Sequence, residues 1–233
     1  MSTIGFIFAR GGSKELTGKN TRSFGGKPLI AWSIECALSV KAIDKVIVST
    51  DSIEIAEISQ SCGAEVPFIR PKELATDESP EWLSWRHALE FVKHASGALP
   101  EAMVSLPATS PLRAVSDVES CLDQFSKGGC DAVVTVSEAH RNPYFNMVKE
   151  KSDGTVVLVI EDSQVSRRQD APIIRDLVTV CYVVRPEFVL SHNSIFEGRV
   201  KAVNVPRERA IDIDSLLDFQ IAEFVLNSRK EIL

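Results

Sequence analysis

Thr3-Ile4-Gly5-Phe6-Ile7-Phe8-Ala9 runs directly into Arg10-Gly11-Gly12-Ser13-Lys14, with Lys19-Asn20 shortly beyond, and this stretch orders the reading of the whole chain. The Thr3–Ala9 run is short, apolar and rich in aromatic and β-branched residues, which predicts a buried first strand. Two glycines then predict a sharp turn. Glycine tolerates left-handed torsions and close backbone approach, so successive N–H groups can line an anion site. Arg10, Lys14 and Lys19 add positive charge where polyphosphate would sit. On the glycines alone, an ordinary strand-to-helix turn is an equal reading. The three cations favour a phosphate loop, although neither the G-x-x-x-x-G-K-[ST] nor the G-x-G-x-x-G spacing is met.

Downstream, strand-like and helix-like runs alternate. Pro28 to Leu38 predicts a helix with proline in its first turn. Lys45 to Thr50 predicts a strand, and Ser52 to Cys62 a helix closed by Gly63. Glu65 to Ile69 reads as a short strand, Pro80 to Lys93 as a helix, Ala102 to Leu106 as a strand, Val115 to Phe125 as a helix and Ala132 to Val136 as a strand. This β–α alternation predicts an α/β fold, a mostly parallel sheet with helices on both faces. Ligands of such sheets bind beyond the carboxyl ends of the strands. The polar motifs fall there: Arg10 onward, Ser49-Thr50-Asp51, and Thr109-Ser110-Pro111-Leu112-Arg113.

The rhythm changes after Ser137. Asn142 to Lys149 and Thr155 to Glu161 flank Lys151-Ser152-Asp153-Gly154, which predicts a β-hairpin. Leu177 to Val184 is another apolar strand, and the chain closes with Lys201 to Val205, a turn, Ile211 to Asp214 and a final helix from Ser215 to Asn227. A single domain, 1–233, with an insertion at about 138–176, accommodates this pattern.

Composition bounds the function. The 233 residues carry a net charge of −6, which argues against a general nucleic-acid binder. Nothing approaches the ~20 apolar residues of a membrane span, and the start lacks the features of a signal peptide. Cys36, Cys62, Cys121, Cys130 and Cys181 are scattered and odd in number, which predicts reduced thiols in a cytoplasmic protein. His87 and His94 lack a nearby third ligand and read as structural.

Ile211-Asp212-Ile213-Asp214 is the second anchor. In extended backbone, residues two apart share a face, so Asp212 and Asp214 project together while the isoleucines pack inward. Paired carboxylates with phosphate chemistry suit Mg²⁺. Equally, Asp214 reads as the N-cap of the last helix, with Asp218 in its first turn. Arg70-Pro71, Arg113 and Arg167-Arg168 each read as an acid- or nucleotide-binding group or as solvated surface. No Ser/His/Asp or Cys/His set supports covalent catalysis.

Taken together, these residues resemble the acylneuraminate cytidylyltransferases, which make CMP-activated sialic acids and related nonulosonates. The resemblance rests on Ala9-Arg10-Gly11-Gly12-Ser13-Lys14 with Lys19-Asn20, Val48-Ser49-Thr50-Asp51, Arg70-Pro71 with Leu74-Ala75-Thr76-Asp77, Thr109 to Arg113, Arg168-Gln169 and Ile211 to Asp214. It implies a Rossmann-like three-layer α/β/α fold of the nucleotide-diphospho-sugar transferase type. It implies Mg²⁺-dependent transfer of CMP from CTP to the anomeric hydroxyl of a sugar acid, with pyrophosphate released. Carried over, Arg10, Gly11, Gly12, Ser13, Lys14, Lys19, Asn20 and Arg70 would hold the nucleotide. Asp212 and Asp214 would carry the metal, Arg10 and Lys19 would join them in catalysis, and Arg168 with Gln169 would face the sugar. The family's insertion exchanges between subunits, which implies a homodimer.

The chain departs from the family pattern at three places. Pro107-Ala108 replaces Gln-Pro, Val178-Thr179 replaces Asn-Gly, and Glu78-Ser79-Pro80-Glu81 replaces a serine-rich stretch. Lost hydrogen-bonding groups predict a changed acceptor. Two alternatives remain at this stage: a 3-deoxy-manno-octulosonate cytidylyltransferase, whose loop usually lacks Gly-Gly-Ser-Lys with Lys-Asn, and a nucleotide-binding protein without turnover.

Overall fold

The computed structural model describes residues 2–12, 15–161, 165 and 167–230, with the side chains of 168, 229 and 230 outside that description. Along the chain run β1 (Thr3–Phe8), β2 (Ser23–Phe24), β3 (Lys27–Pro28), α1 (Leu29–Ser39), β4 (Lys45–Ser49), α2 (Ile53–Ser61), α3 (Glu81–Ser96) and β5 (Ala102–Ser105). They are followed by α4 (Val115–Ser126), β6 (Ala132–Glu138), β7 (Val148–Glu150), β8 (Val156–Leu158), β9 (Arg175–Val184), α5 (Pro186–Ser191), β10 (Val200–Asn204) and α6 (Leu216–Lys230).

Six strands form the main sheet in the order β10-β6-β9-β5-β1-β4. β1 pairs in parallel with β4 and β5, and β10 with β6. β9 alone runs the other way, antiparallel to both β5 and β6. Side-chain alternation along β1 and β5 explains the layering. Ile7, Ala102 and Val104 pack with α1, α2 and α4 on one face. Ile4, Phe6 and Met103 pack with α3 and α5 on the other. Full burial of side chains such as Phe6, Ile7 and Ile34 is worth about 1.5–3 kcal/mol each, and this sets the sheet as the rigid platform. The result is the three-layer α/β/α arrangement.

A third apolar cluster lies beyond the carboxyl end of β1. Phe24 and Leu29 meet Ile213, Phe219 and Leu226, so the last helix closes over the β2–β3 turn. None of the described helices is long and apolar enough to cross a membrane.

Several expectations shift in detail. Glu65 to Ile69 forms only a bridge, Ile47 to Glu65, not a strand. Pro67 lacks the N–H that a continuing ladder needs. α5 has too few residues to show a helical period and escapes sequence reading. The predicted hairpin exists, but its two antiparallel strands are three residues each. Gly63 does end α2 region turns in left-handed backbone, φ 93. Gly11 and Gly12 do not use left-handed torsions, contrary to the expectation. Gly11 is favoured for a different reason: a Cβ there would sit 3.0 Å from the Ser52 Cβ, so that α2's N-terminus would have to give way.

β9 carries an irregularity that shapes the site. Its pairing with β6 jumps from Val134–Tyr182 to Thr135–Val178. Thr135 fills the gap: its Oγ1 lies 2.8 Å from the Val178 carbonyl and accepts from the Cys181 N–H at 3.1 Å. Bulges of this kind re-aim side chains beside functional sites. Here the bulge presents Thr179 to the Ser110 hydroxyl, 2.8 Å away, and turns the Val180 carbonyl toward Arg113.

Candidate functional site

An open cleft of about 320 Å³ lies beyond the carboxyl ends of β1 and β5. Arg10, Gly12, Lys19, Asn20, Arg70 and Glu81 contribute to its walls, with Pro107 to Thr109 closing one side. Sequence-distant motifs thus meet where open α/β sheets bind ligands.

The glycine turn is braced from beneath. The Gly11 N–H donates to Asp51 Oδ1 at 2.9 Å, and the Asn20 side-chain amide donates to the Arg10 carbonyl at 3.0 Å. Asn20 is buried, so it fixes the loop as well as lining the cleft. Arg10 pairs with Asp77 at 2.5 Å, with both side chains partly exposed. Ser13 and Lys14 lie outside the described residues.

Lys19 ties the first motif to the last. Its ammonium donates to the Ile213 carbonyl at 2.7 Å and to Asp214 Oδ1 at 3.1 Å, across 194 and 195 positions. The segment it holds is anchored twice more. The Ile213 N–H donates to the Thr109 carbonyl at 2.8 Å, and Arg209 forks onto Asp117 of α4 at 2.8 and 2.9 Å. Ile213 is fully buried, as the alternation predicts, whereas Ile211 is only partly so.

The two carboxylates therefore differ. Asp214 is largely exposed and faces Lys19. Asp212 buries its Oδ1 with no hydrogen-bond partner among the described residues. The capping alternative for Asp214 falls away, because the capping is done by Ser215 and Asp218. The Ser215 N–H donates to Asp218 Oδ2 at 2.8 Å, and Ser215 Oγ accepts from the Asp218 N–H at 3.3 Å. An orphaned buried carboxylate oxygen costs free energy and demands an explanation.

Arg70 presents the same signature with opposite charge. It is 5% exposed, and among the described residues only Nη1 of its guanidinium is satisfied, by Ser84 Oγ at 3.1 Å. Nε and Nη2 are buried without partners among the described residues. Burial lowers its pKa, Asp51 and Glu81 counter that, and Arg10 adds to it. Arginine stays charged regardless. Each unmet donor costs about 1–3 kcal/mol in a folded chain, so this guanidinium is poised for an external acceptor.

Glu81, at the first position of α3, stands in the same wall. Its side chain is exposed at the cleft mouth yet surrounded by protein atoms, and desolvation raises its carboxyl pKa. The Trp85 indole, donating to Oε1 at 2.9 Å, and Arg70 work against the rise; Asp212 adds to it. Tyr182 packs on Trp85 with ring centroids 5.8 Å apart. Its phenol is pushed up to about 12 by burial, with Glu81 and Asp212 contributing. Glu81 thus couples electrostatically to Arg70, Asp212 and Tyr182.

Other expected residues lie elsewhere. Gln169 is exposed and lines a separate groove at the base of the hairpin segment, with Arg141 and Arg175. The Arg168 side chain is outside the described residues. Arg113 is neither a ligand fork nor a solvated group. It is buried, donating from Nε to the Val180 carbonyl at 2.8 Å and from its other nitrogens to Ser33 and Pro107. It braces the β9 bulge against the Pro107 turn. Pro107 and Ala108 line the cleft, while Val178 packs against the sheet core. Among the described residues no three His, Cys, Asp or Glu side chains cluster as a self-sufficient metal site.

Sequence reasoning missed Glu81 as a cleft residue. The signal was its place at the first turn of α3, a charged position next to Pro80, eleven residues after Arg70.

The fold is similar to that of a solved CMP:2-keto-3-deoxy-manno-octonic acid synthetase complexed with CTP. That structure superposes with a TM-score of 0.71 over 98% of this chain and all of that one, at 16% identity. Such a likeness defines the fold class. The family follows from sequence: a family model described as Cytidylyltransferase matches residues 4–230, and the chain belongs to that family. It is 34% identical over 221 residues to the CMP-N,N'-diacetyllegionaminic acid synthase of Campylobacter jejuni, covering 95% of this chain and 93% of the relative. It is also 34% identical over 223 residues to post-translational flagellin modification protein B of Campylobacter coli, covering 96% and 94%. Within the family, these relatives and the motifs place the chain among the nonulosonate cytidylyltransferases.

Proposed function

We propose that this protein transfers CMP from CTP to the anomeric hydroxyl of a sialic-acid-like nonulosonic acid and releases pyrophosphate. The observation that carries this reading is the buried Arg70 guanidinium, with two donors unmet among the described residues, in one cleft with Arg10, Lys19 and Glu81, the last of which feels the orphaned Asp212 carboxylate. The acceptor hydroxyl oxygen forms a bond to the α-phosphorus while the bond from that phosphorus to the bridging oxygen breaks. Pyrophosphate leaves with the electron pair, and the hydroxyl proton passes to solvent or a nearby carboxylate. Charge grows on the phosphoryl oxygens, and fixed cations stabilise it most in the transition state. In this reading Arg10 and Lys19 supply those cations. Gly11 and Gly12, with Ser13 and Lys14, form the loop that receives phosphate, and Arg168 with Gln169 serves the sugar acid.

The donor set fits Mg²⁺ as the cofactor. Such an ion keeps several waters and takes one or two carboxylates plus substrate phosphates, so the absence of a three-acid cluster among the described residues is no obstacle. Asp212 offers a buried oxygen with no other partner, and Asp214 stands beside Lys19. When bound, the ion supplies Lewis-acid neutralisation of phosphate charge. The test is pyrophosphate release across CTP, UTP, ATP and GTP with a panel of nonulosonic acids. Release is expected with CTP and one acid, abolished by chelation and restored by Mg²⁺. Absence of acid-dependent release with every pair overturns the reading.

The chain is further proposed to act as a homodimer. Phe145, Met147, Val148, Val156 and Ile173, all in the 138–176 segment, are exposed, Ile173 at 85%. Water-facing apolar groups gathered on one segment mark an interaction surface. Light scattering is expected to give twice the chain mass; a monomer across the micromolar range contradicts this.

A further inference from the structure

Glu81 is not used by the phosphate chemistry above, yet it lines the cleft together with Arg70, whose buried Nε and Nη2 meet no acceptor among the described residues. Its plainest role would be local: a carboxylate at the first turn of α3 complements the helix dipole and accepts from the Trp85 indole at 2.9 Å. That role occupies one carboxylate oxygen and explains neither the neighbouring Arg70 nor the position in the cleft. Trp85 fixes the carboxyl orientation, and the second oxygen is left to accept from elsewhere. Arg70 brings two buried donors, Nε and Nη2, to the same wall.

Two donors beside one acceptor is a chemical pattern with few complements among nucleobases. The pairing edge of cytosine offers acceptors at O2 and N3 and a donor at its exocyclic N4 amine, which a glutamate carboxylate accepts well. Uracil offers an oxygen where cytosine has the amine, so it would set acceptor against acceptor. A site that leaves polar groups unpaired against the wrong ligand discriminates strongly.

We infer that Arg70 and Glu81 together read the nucleobase, Glu81 taking the cytosine 4-amino group and thereby excluding uracil. This rests on the cytidylyltransferase reading and assigns a role to one of the positions at which the chain departs from its family's pattern. The departure at Glu81 then belongs to the nucleotide side of the cleft, not to the sugar side.

Equilibrium binding of CTP and UTP, each with Mg²⁺, to the wild type, Glu81→Gln and Glu81→Ala tests it without requiring turnover. Glutamine keeps the indole contact and can present either an acceptor or a donor to the base. The wild type is expected to favour CTP by about 10–100-fold. Both variants are expected to bring that ratio within about threefold, Glu81→Ala by losing CTP affinity and Glu81→Gln partly by gaining UTP affinity. Circular dichroism melts identify any variant that fails to fold, and Glu81→Gln, closest in shape, then carries the test. An unchanged CTP-to-UTP ratio in a folded variant overturns the inference and leaves the transferase reading standing. A wild type that binds neither nucleotide contradicts the transferase reading itself.

Discussion

Asp212→Asn is expected to lower acid-dependent pyrophosphate release by about 10²–10³-fold while leaving the folded state intact. The reason lies in what Asp212 does not do for the fold. Its buried Oδ1 meets no donor among the described residues, so the substitution breaks no hydrogen bond at that atom. The segment around it is held by other groups: Lys19 on the Ile213 carbonyl, the Ile213 N–H on Thr109, and Arg209 on Asp117. The sign of the electrostatic effect is also set. Asp212 raises the Glu81 carboxyl pKa, so its neutralisation moves that pKa back toward the usual range. A thermal melt shifted by no more than a few degrees, with turnover lost, is the expected pair of results. Full activity in Asp212→Asn would remove this carboxylate from the machinery.

Arg70→Met is the second large effect, and it has opposite signs on binding and on folding. Hydrogen bonds from a charged donor are worth about 1.5–3 kcal/mol each, so losing the two unmet donors weakens CTP binding by roughly 10²–10⁴-fold. The unliganded fold, by contrast, now carries a desolvated guanidinium with two unmet nitrogens. Exchanging a poorly satisfied buried charge for an apolar side chain of similar length is often neutral or stabilising. Only the Ser84 contact is lost within the protein, and Ser84 keeps its bond to the Leu74 carbonyl. The melting temperature of the free protein is therefore expected to hold or rise as CTP affinity falls. A large drop in melting temperature with unchanged CTP affinity would make Arg70 a structural strut, as Arg113 is.

The contrast between those two arginines shows what was legible in the sequence. Both follow runs that read as strands in the sequence and carry the same charge, and each reads there as a ligand-binding group or as surface. Three acceptors converge on Arg113 from α1, β9 and the Pro107 turn, elements 80, 67 and 6 positions away. Arg70 meets one. Which arginine finds partners is settled by the tertiary fold, and no local pattern encodes it. The strand and helix plan was legible because β1 and β5 alternate between the two helical layers, and that alternation is written in residue type. The Asp212–Asp214 motif was visible by its spacing. The division of labour between them was not, because it depends on Lys19, 195 positions from Asp214. Glu81 was read as part of a change on the sugar side, since only the fold brings α3 against Arg70.

The central claim is that the cleft moves CMP, and nothing else, from CTP to a sugar acid. Following CTP labelled at the α-phosphorus in the presence of Mg²⁺ and a panel of nonulosonic acids tests it most directly. The label is expected on the sugar acid in step with pyrophosphate release, and neither is expected without the acid. Label recovered only as CTP, CMP or CDP, with every acid left unmodified, would contradict it.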